Sequence, residues 1–118
     1  MFRAGATMVP GTDAGVSPGK PHDVLPYALQ ALVEQIGMTP LQALRAATII
    51  AASAIGLGES KGRIAAGADA DVVVVRGDPV ADIGSITNVQ AVFRPVSEPG
   101  NSPQESRASS AAARPLMP

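Results

Sequence analysis

The sequence predicts an incomplete α/β fold, in which one strand and two helices precede a segment rich in strands. Apolar residues repeat with helical spacing in residues 23–36 and 39–55, and four consecutive valines follow at residues 72–75. A length of 118 residues fits one ordinary domain or part of a larger one. Two or three short strands make only a marginal sheet. We therefore expect the sheet to need neighbouring strands that this chain barely provides.

Composition limits the function classes that need to be considered. The chain has 9 basic and 10 acidic residues and a net charge of -1, so it has no field that would attract nucleic acid or an anionic membrane surface. The chain has no apolar run of the roughly 20 residues that a membrane span requires, and it has no cysteine. These observations predict a soluble, cytoplasmic protein. With only 3% aromatic residues, its core must consist of small aliphatic side chains.

The first segment, residues 6–11, has the pattern of a short buried strand that ends at the sequence GTDAG. This strand would present Asp13 at its C-terminal end. Residues 15–21 are rich in Gly, Pro and Ser, which is typical of a loop that crosses the surface.

The first helix is predicted over residues 23–36, with Asp23 as its N-cap and Gly37 as its stop. Pro26 falls in the first turn, where its missing N–H does little harm. The apolar side chains lie on one stripe of this helix, so that face should be buried; they are Leu25, Leu29, Leu32, Val33 and Ile36.

The second helix has the clearest start in the sequence. Thr39 as N-cap, Pro40 at the first helical position and Gln42 at the third form a capping box. The helix should continue to residue 55 and stop at Gly56. Its apolar stripe consists mostly of small residues, which favours close packing against a neighbour. The stripe comprises Leu41, Leu44, Thr48, Ala51, Ala52 and Ile55.

From residue 62 onward the pattern becomes strand-like. Residues 63–65, 71–76 and 88–94 are predicted strands, and residues 80–86 one helical turn. The run of valines implies burial on both faces. Residues 97–118 have a low-complexity composition without periodicity and are predicted to be a disordered tail.

Three sequence blocks together resemble metal-dependent amidohydrolases of the imidazolonepropionase-like and Xaa-Pro dipeptidase-like branch. The blocks are GTDAG at residues 11–15, MTPLQALRAAT at residues 38–48, and GRIAAGADAD at residues 62–71 with the valines that follow. The resemblance covers residues 4–94. It implies that the chain is the C-terminal fragment of a (β/α)₈ TIM-like barrel with part of a small composite β-sandwich domain. Residues 1–58 would then end the barrel, and residues 59–96 would belong to the β-domain.

The resemblance gives Asp13 two roles, as a metal ligand and as the catalytic base that takes a proton from metal-bound water. Zinc is the expected metal. From the residues alone, the favoured interpretation of Asp13 is an Asx-turn residue in the sequence TDAG. The resemblance reverses that preference.

His22 is a weaker candidate, for substrate binding, because it lies in the loop beyond the predicted strand end. The alternative is a surface histidine beside Asp23. Lys20 and Ser17 in the same loop are interpreted as solvated. Asp69 and Asp71 resemble a carboxylate pair, but turn capping is the favoured interpretation because their side chains should face opposite ways.

The family's histidine ligands have no counterpart in this sequence, which contains a single histidine. A catalytic zinc site takes about three protein ligands plus water, so we expect no metal to be held by this chain alone and no activity without further polypeptide. The first hypothesis is a hydrolase fragment acting on the carbon–nitrogen bond of a small amide, cyclic amide or dipeptide. The alternative is a module, not catalytic by itself, that completes another chain's barrel and supplies Asp13 to it. Partners would be a missing N-terminal half or further copies of the chain; a free-standing α/β binding protein is the third interpretation.

Overall fold

A computed structural model describes residues 2–95 and 112–115 of the chain. Its elements are a 3₁₀ turn at Phe2–Ala4, helix α1 (Leu25–Glu34), helix α2 (Pro40–Arg45), a π-helical segment (Ala46–Ile50), helix α3 (Ala51–Ala54), strand β1 (Val72–Val75), a 3₁₀ helix (Ile83–Thr87), strand β2 (Val89–Arg94) and strand β3 (Ala112–Pro115). The strands form one antiparallel sheet in the order β1-β2-β3. None of the helices in the described ranges is long and apolar enough to cross a membrane.

Helix α1 begins at Leu25, and the prediction that Asp23 caps it was wrong. Val24 occupies the N-cap position with φ -89° and ψ -8°, and no side chain there accepts a helix N–H group. A capping side chain needs an N-cap residue in the extended region, and Val24 is already helical. The predicted stop is confirmed: Gly37 has φ +85°, and its N–H group donates to the Val33 carbonyl at 3.2 Å.

Helix α2 begins with the predicted capping box. The Gln42 N–H donates to Thr39 Oγ1 at 3.2 Å, and the Thr39 N–H donates to Gln42 Oε1 at 2.9 Å. The predicted single helix is interrupted at Ala46–Ile50, where the chain widens into a π-helical segment. There the Thr48 hydroxyl donates to the Leu44 carbonyl at 2.8 Å, a local bond that often bends a helix.

The core lies between α1, α2 and the π-helical segment. Ala43 and Ala46 are 0% and 1% exposed, so neighbouring backbones approach each other closely. They pack with Leu32 and Met38. The stripe predicted for this helix was a different one and is mostly not buried, since Leu41 is 50% exposed and Ile55 is 72% exposed. Ile83 of the 3₁₀ helix is also buried, and this helix contacts α1.

Strand β1 pairs with β2 over four residues, from Val72 opposite Phe93 to Val75 opposite Val89, with a register shift between Val74 and Val75. The predicted burial of the valines on both faces was wrong for this chain. Val73 is 55% exposed and Val74 is 43% exposed. Burial on both faces requires layers above and below the strand, and the described residues provide too few of them.

Two predicted strands are not formed. Residues 6–11 and 63–65 are irregular, as are Thr12 and Asp13, and Ile64 is 90% exposed. A strand is stable only when its backbone groups bond to a neighbouring strand, and neither segment has such a neighbour within the described residues. Asp13 therefore does not follow a strand in this structure.

The predicted disordered tail, residues 97–118, lies largely outside the described residues. Its residues 112–115 do not follow that prediction, because they form β3 and pair with β2, with Ala112 opposite Arg94. The open edge of β2 offers unpaired N–H and C=O groups to any extended segment that reaches it. Low-complexity composition gives no sign of such pairing.

Lys61 holds the loop between the helices and the sheet. Its ammonium nitrogen is 3.0 Å from Asp69 Oδ2 and also contacts Asp71 Oδ2. The two carboxylates that were predicted to cap a turn thus share one ammonium group. Their hydrogen bonds, with Asp71 the stronger cause, raise the pKa of Lys61 above its usual 10.5.

This raised pKa predicts a pH dependence of stability. Because the folded pKa lies above the unfolded one, the stabilisation is complete below pH 10.5 and is lost as the pH rises through the folded pKa. Thermal unfolding followed by circular dichroism should show the melting temperature of the wild type falling as the pH rises above 10.5. The fall should be smaller in Lys61→Met, which has no group that titrates there. In Lys61→Arg, whose guanidinium stays charged, the fall should also be smaller. Equal pH profiles for all three proteins would contradict the assignment.

Candidate functional site

The loop at residues 12–22 carries the candidate site residues. Asp13 has φ +52°, a left-handed conformation that is uncommon for a residue with a side chain. Just before it, Thr12 Oγ1 accepts the N–H group of Ala14 at 3.2 Å. The loop is closed by a bond from the Gly15 N–H to the Lys20 carbonyl at 2.9 Å and by one from the Lys20 N–H to the Ser17 carbonyl at 3.0 Å.

The Asp13 carboxylate is exposed and pairs with Lys20 of the same loop. Its side chain is 65% exposed, and Oδ2 lies 3.0 Å from the Lys20 ammonium nitrogen. Within the described part of the chain no backbone N–H donates to this carboxylate, since Thr12 provides the turn bond. The carboxylate is therefore largely exposed and has one ammonium group as its partner. Sequence reasoning treated Lys20 as solvated and missed this pair.

His22 lies against the backbone of Gly15. A Cβ added at Gly15 would meet Cε1 of the imidazole at 2.8 Å and Nε2 at 3.2 Å. Gly15 also has φ +79°, so both the close approach and the backbone conformation require glycine. His22 is exposed, and no hydrogen bond or ion pair joins it to Asp13 among the contacts of residues 2–95. The two candidates share a loop but do not form a pair.

The described residues do not fit a metal centre unaided. Nowhere in residues 2–95 and 112–115 do three or more His, Cys, Asp or Glu side chains come together. Asp13 supplies one carboxylate, already paired with an ammonium group, where a catalytic zinc site uses about three protein ligands.

An open groove of about 700 Å³ separates the helices from the sheet. Its walls are mainly aliphatic; they include Leu25, Leu29, Leu44, Ile64, Val72, Val75 and Val92, with Arg63 and Asp71 as charged members. Asp13 and His22 do not line it. The groove is therefore a surface separate from the loop that carries the candidate site residues.

Comparison with known proteins shows the family to which this chain belongs. Residues 1–100 match the model of the amidohydrolase family, so the chain belongs to the amidohydrolase family. The chain is 40% identical over 81 residues to an imidazolonepropionase of Thermoplasma volcanium, covering 66% of this chain and 20% of that protein. It is 37% identical over 92 residues to an ochratoxinase of Aspergillus niger, covering 77% of this chain and 18% of that protein.

A solved structure supports the same relationship. A Xaa-Pro dipeptidase with methionine bound in its active site superposes with a TM-score of 0.72 at 31% sequence identity. The match covers 79% of this chain and 22% of the dipeptidase. This chain thus spans about a fifth of the length of the relatives that it matches. The family resemblance deduced from the three sequence blocks is confirmed.

Proposed function

We propose that this chain supplies the C-terminal part of a hydrolase that cleaves a carbon–nitrogen bond in a small amide, cyclic amide or dipeptide. The observation that carries this proposal is membership of the amidohydrolase family, together with relatives named imidazolonepropionase and Xaa-Pro dipeptidase. The amidohydrolase family is named for amide hydrolysis, and this name supplies the proposed reaction type. The substrate class comes from the names of the relatives.

In this proposal Asp13 is the carboxylate that the chain contributes to the active site. Its exposure, its left-handed backbone conformation and its position in a loop before α1 support the assignment, because strained residues often occur at functional sites. The remaining ligands of a divalent metal, with zinc expected, would come from polypeptide other than the described residues. His22 is proposed as a substrate contact from the same loop.

The architecture proposed for the complete protein is a (β/α)₈ barrel with a small β-domain. Residues 1–58 would close the barrel, and residues 59–96 would contribute β1 and β2 to the β-domain. The irregular conformation of residues 6–13 is consistent with a barrel strand that lacks both neighbours. With those neighbours present, Asp13 would lie at the strand end, where barrel enzymes place their active sites.

A second candidate function is a non-catalytic module that completes the barrel of another chain. The aliphatic groove between the helices and the sheet favours it, as do the exposed side chains of Val73 and Val74. Extended exposed apolar surfaces of this kind mark sites that contact other polypeptide. In the form proposed here the module contributes packing surface alone, without the Asp13 that the sequence-based alternative had it supply. The two functions then differ in whether Asp13 takes part in catalysis.

Complementation tests the proposal. The chain is co-expressed with a candidate N-terminal half of the barrel. Hydrolysis of a panel of Xaa-Pro dipeptides, N-acyl amino acids and cyclic amides is assayed with added zinc. We expect activity from the pair and none from either polypeptide alone. A stable complex without hydrolysis of any of these substrate classes would contradict the hydrolase and favour the module.

A further inference from the structure

Strand β1 lies at the edge of the sheet. In the order β1-β2-β3 it pairs with β2 and with no other described strand. The Arg76 N–H group donates to the Asn88 carbonyl at 2.8 Å, so the backbone of Arg76 faces β2. Successive residues of a strand turn their N–H and C=O groups to alternate edges, and the extra residue at the register shift, Gln90, belongs to β2. Val73 and Val75 therefore direct their backbone groups to the open side of β1.

This edge has the properties of a pairing surface. The backbone groups of Val73 and Val75 form no bond to a loop, turn or helix in the part of the chain that the structure describes. The strand contains neither proline nor a charged residue, which are common protections of a sheet edge. Its side chains are β-branched, and Val73 and Val74 are 55% and 43% exposed. An edge of this kind is a template for a further strand.

The residues that flank β1 indicate which strand fits. Asp71 precedes β1 and Arg76 follows it. Lys61 is shared by Asp69 and Asp71, so these three groups together stay negative. The side chain of Arg76 donates to the neutral side chain of Gln90 at 3.3 Å. An antiparallel copy of β1 brings the acidic end of each strand beside the basic end of the other, whereas a parallel copy would bring like charges together.

We infer that β1 pairs with β1 of a second copy of this chain, antiparallel and related by a two-fold axis at Val74. In this register Val73 of each copy exchanges hydrogen bonds with Val75 of the other, so the outward backbone groups of both valines are used. The two Val74 residues lie opposite each other in a non-hydrogen-bonded pair. The two sheets then form one continuous sheet without an open β1 edge. The pairing goes beyond the proposed hydrolase and does not depend on Asp13.

Cysteine cross-linking tests the register, because the chain contains no cysteine of its own. The 118-residue variant Val74→Cys is incubated with oxidised glutathione, which takes up the two hydrogen atoms of the paired thiols, and the products are separated on a non-reducing gel. Opposite residues of a non-hydrogen-bonded pair have Cα atoms about 4.5 Å apart, within the range of about 4.4 to 6.8 Å that a disulfide spans. Most of the variant should therefore become covalent dimer.

Val73→Cys is the matched control. The two Cys side chains would lie two residues out of register, with Cα atoms beyond the limit of about 7 Å for a disulfide, so the yield of dimer should be about tenfold lower. Equal yields from the two variants, or a higher yield from Val73→Cys, would overturn the pairing centred on Val74.

Light scattering tests the association without a cross-link. The mass of the wild-type chain should approach twice that of a single chain as its concentration rises. Val73→Pro removes an outward N–H group and leaves the bonds to β2, so dimerisation should require about tenfold higher concentration. The circular dichroism spectrum of Val73→Pro checks that the strands are retained, and the cysteine variants do not depend on how this variant folds.

A wild-type chain that stays monomeric at every concentration would overturn the inference. Hydrogen exchange at the amides of Val73 and Val75 then shows what covers the edge. Slow exchange in a monomer means that another segment of the same chain pairs with β1, and fast exchange means that the edge stays open. Either result excludes a second copy as the partner and leaves the hydrolase assignment standing.

Discussion

Gly62→Ala should lower the stability of the chain by roughly 3 kcal/mol, the largest effect that we expect from a single methyl group. Gly62 has φ +78°, a conformation that costs a residue with a side chain about 1 to 2 kcal/mol. A Cβ here would also lie 2.6 Å from the Thr48 carbonyl oxygen and 2.9 Å from Ala52 Cβ. The clash is with backbone of the π-helical segment, which has no flexible end that can move away, and overpacking of this kind costs about 1 to 3 kcal/mol.

Gly67→Ala is the matched control. Gly67 has φ +83°, almost the same conformation, but no atom lies within 4 Å of an added Cβ. It should therefore show the conformational cost without the clash. Urea unfolding of both variants, followed by circular dichroism at 222 nm, separates the two contributions. Equal midpoints for Gly62→Ala and Gly67→Ala would show that Gly62 does not pack on the π-helical segment.

Features determined by neighbouring residues along the chain were predictable from the sequence. The capping box at Thr39 and the left-handed glycine at position 37 each satisfy backbone groups within a few residues, so residue type alone specifies them. The π-helical segment was not predictable. This segment packs closely against Gly62, which is distant from it in the sequence. The spacing of apolar residues along the chain does not predict such a contact.

Strands were predicted less well because their stability comes from partners elsewhere. Residues 72–75 formed a strand because β2 lies beside them, whereas residues 6–11 had the same kind of pattern and no partner in the described ranges. The contacts of the candidate site were also hard to predict, because they join residues that are not adjacent in the sequence. The sequence selected Asp13 by resemblance, but its contact with Lys20, seven residues away across a loop, could be found only from coordinates.

Asp13→Asn should reduce the hydrolytic activity of the complemented enzyme at least a hundredfold, because general acid–base catalysis contributes about 10² to 10⁴. Asparagine keeps the size of the side chain but has no negative charge and is not a base at neutral pH. The fold should be unaffected, since the carboxylate is exposed and its ion pair contributes little. Activity is measured with the substrate that gives the highest rate in the complementation assay.

Asp23→Asn provides the control, because Asp23 is another exposed carboxylate close to the same loop. Its activity should stay within about twofold of the wild type, since surface substitutions outside special features have small effects. The metal content of Asp13→Asn, determined by atomic absorption, distinguishes the two proposed roles of Asp13. Loss of both metal and activity indicates a metal ligand. Loss of activity with the metal retained indicates the catalytic base. Full activity in Asp13→Asn would remove Asp13 from catalysis, and the chain would then contribute only packing surface to its partner.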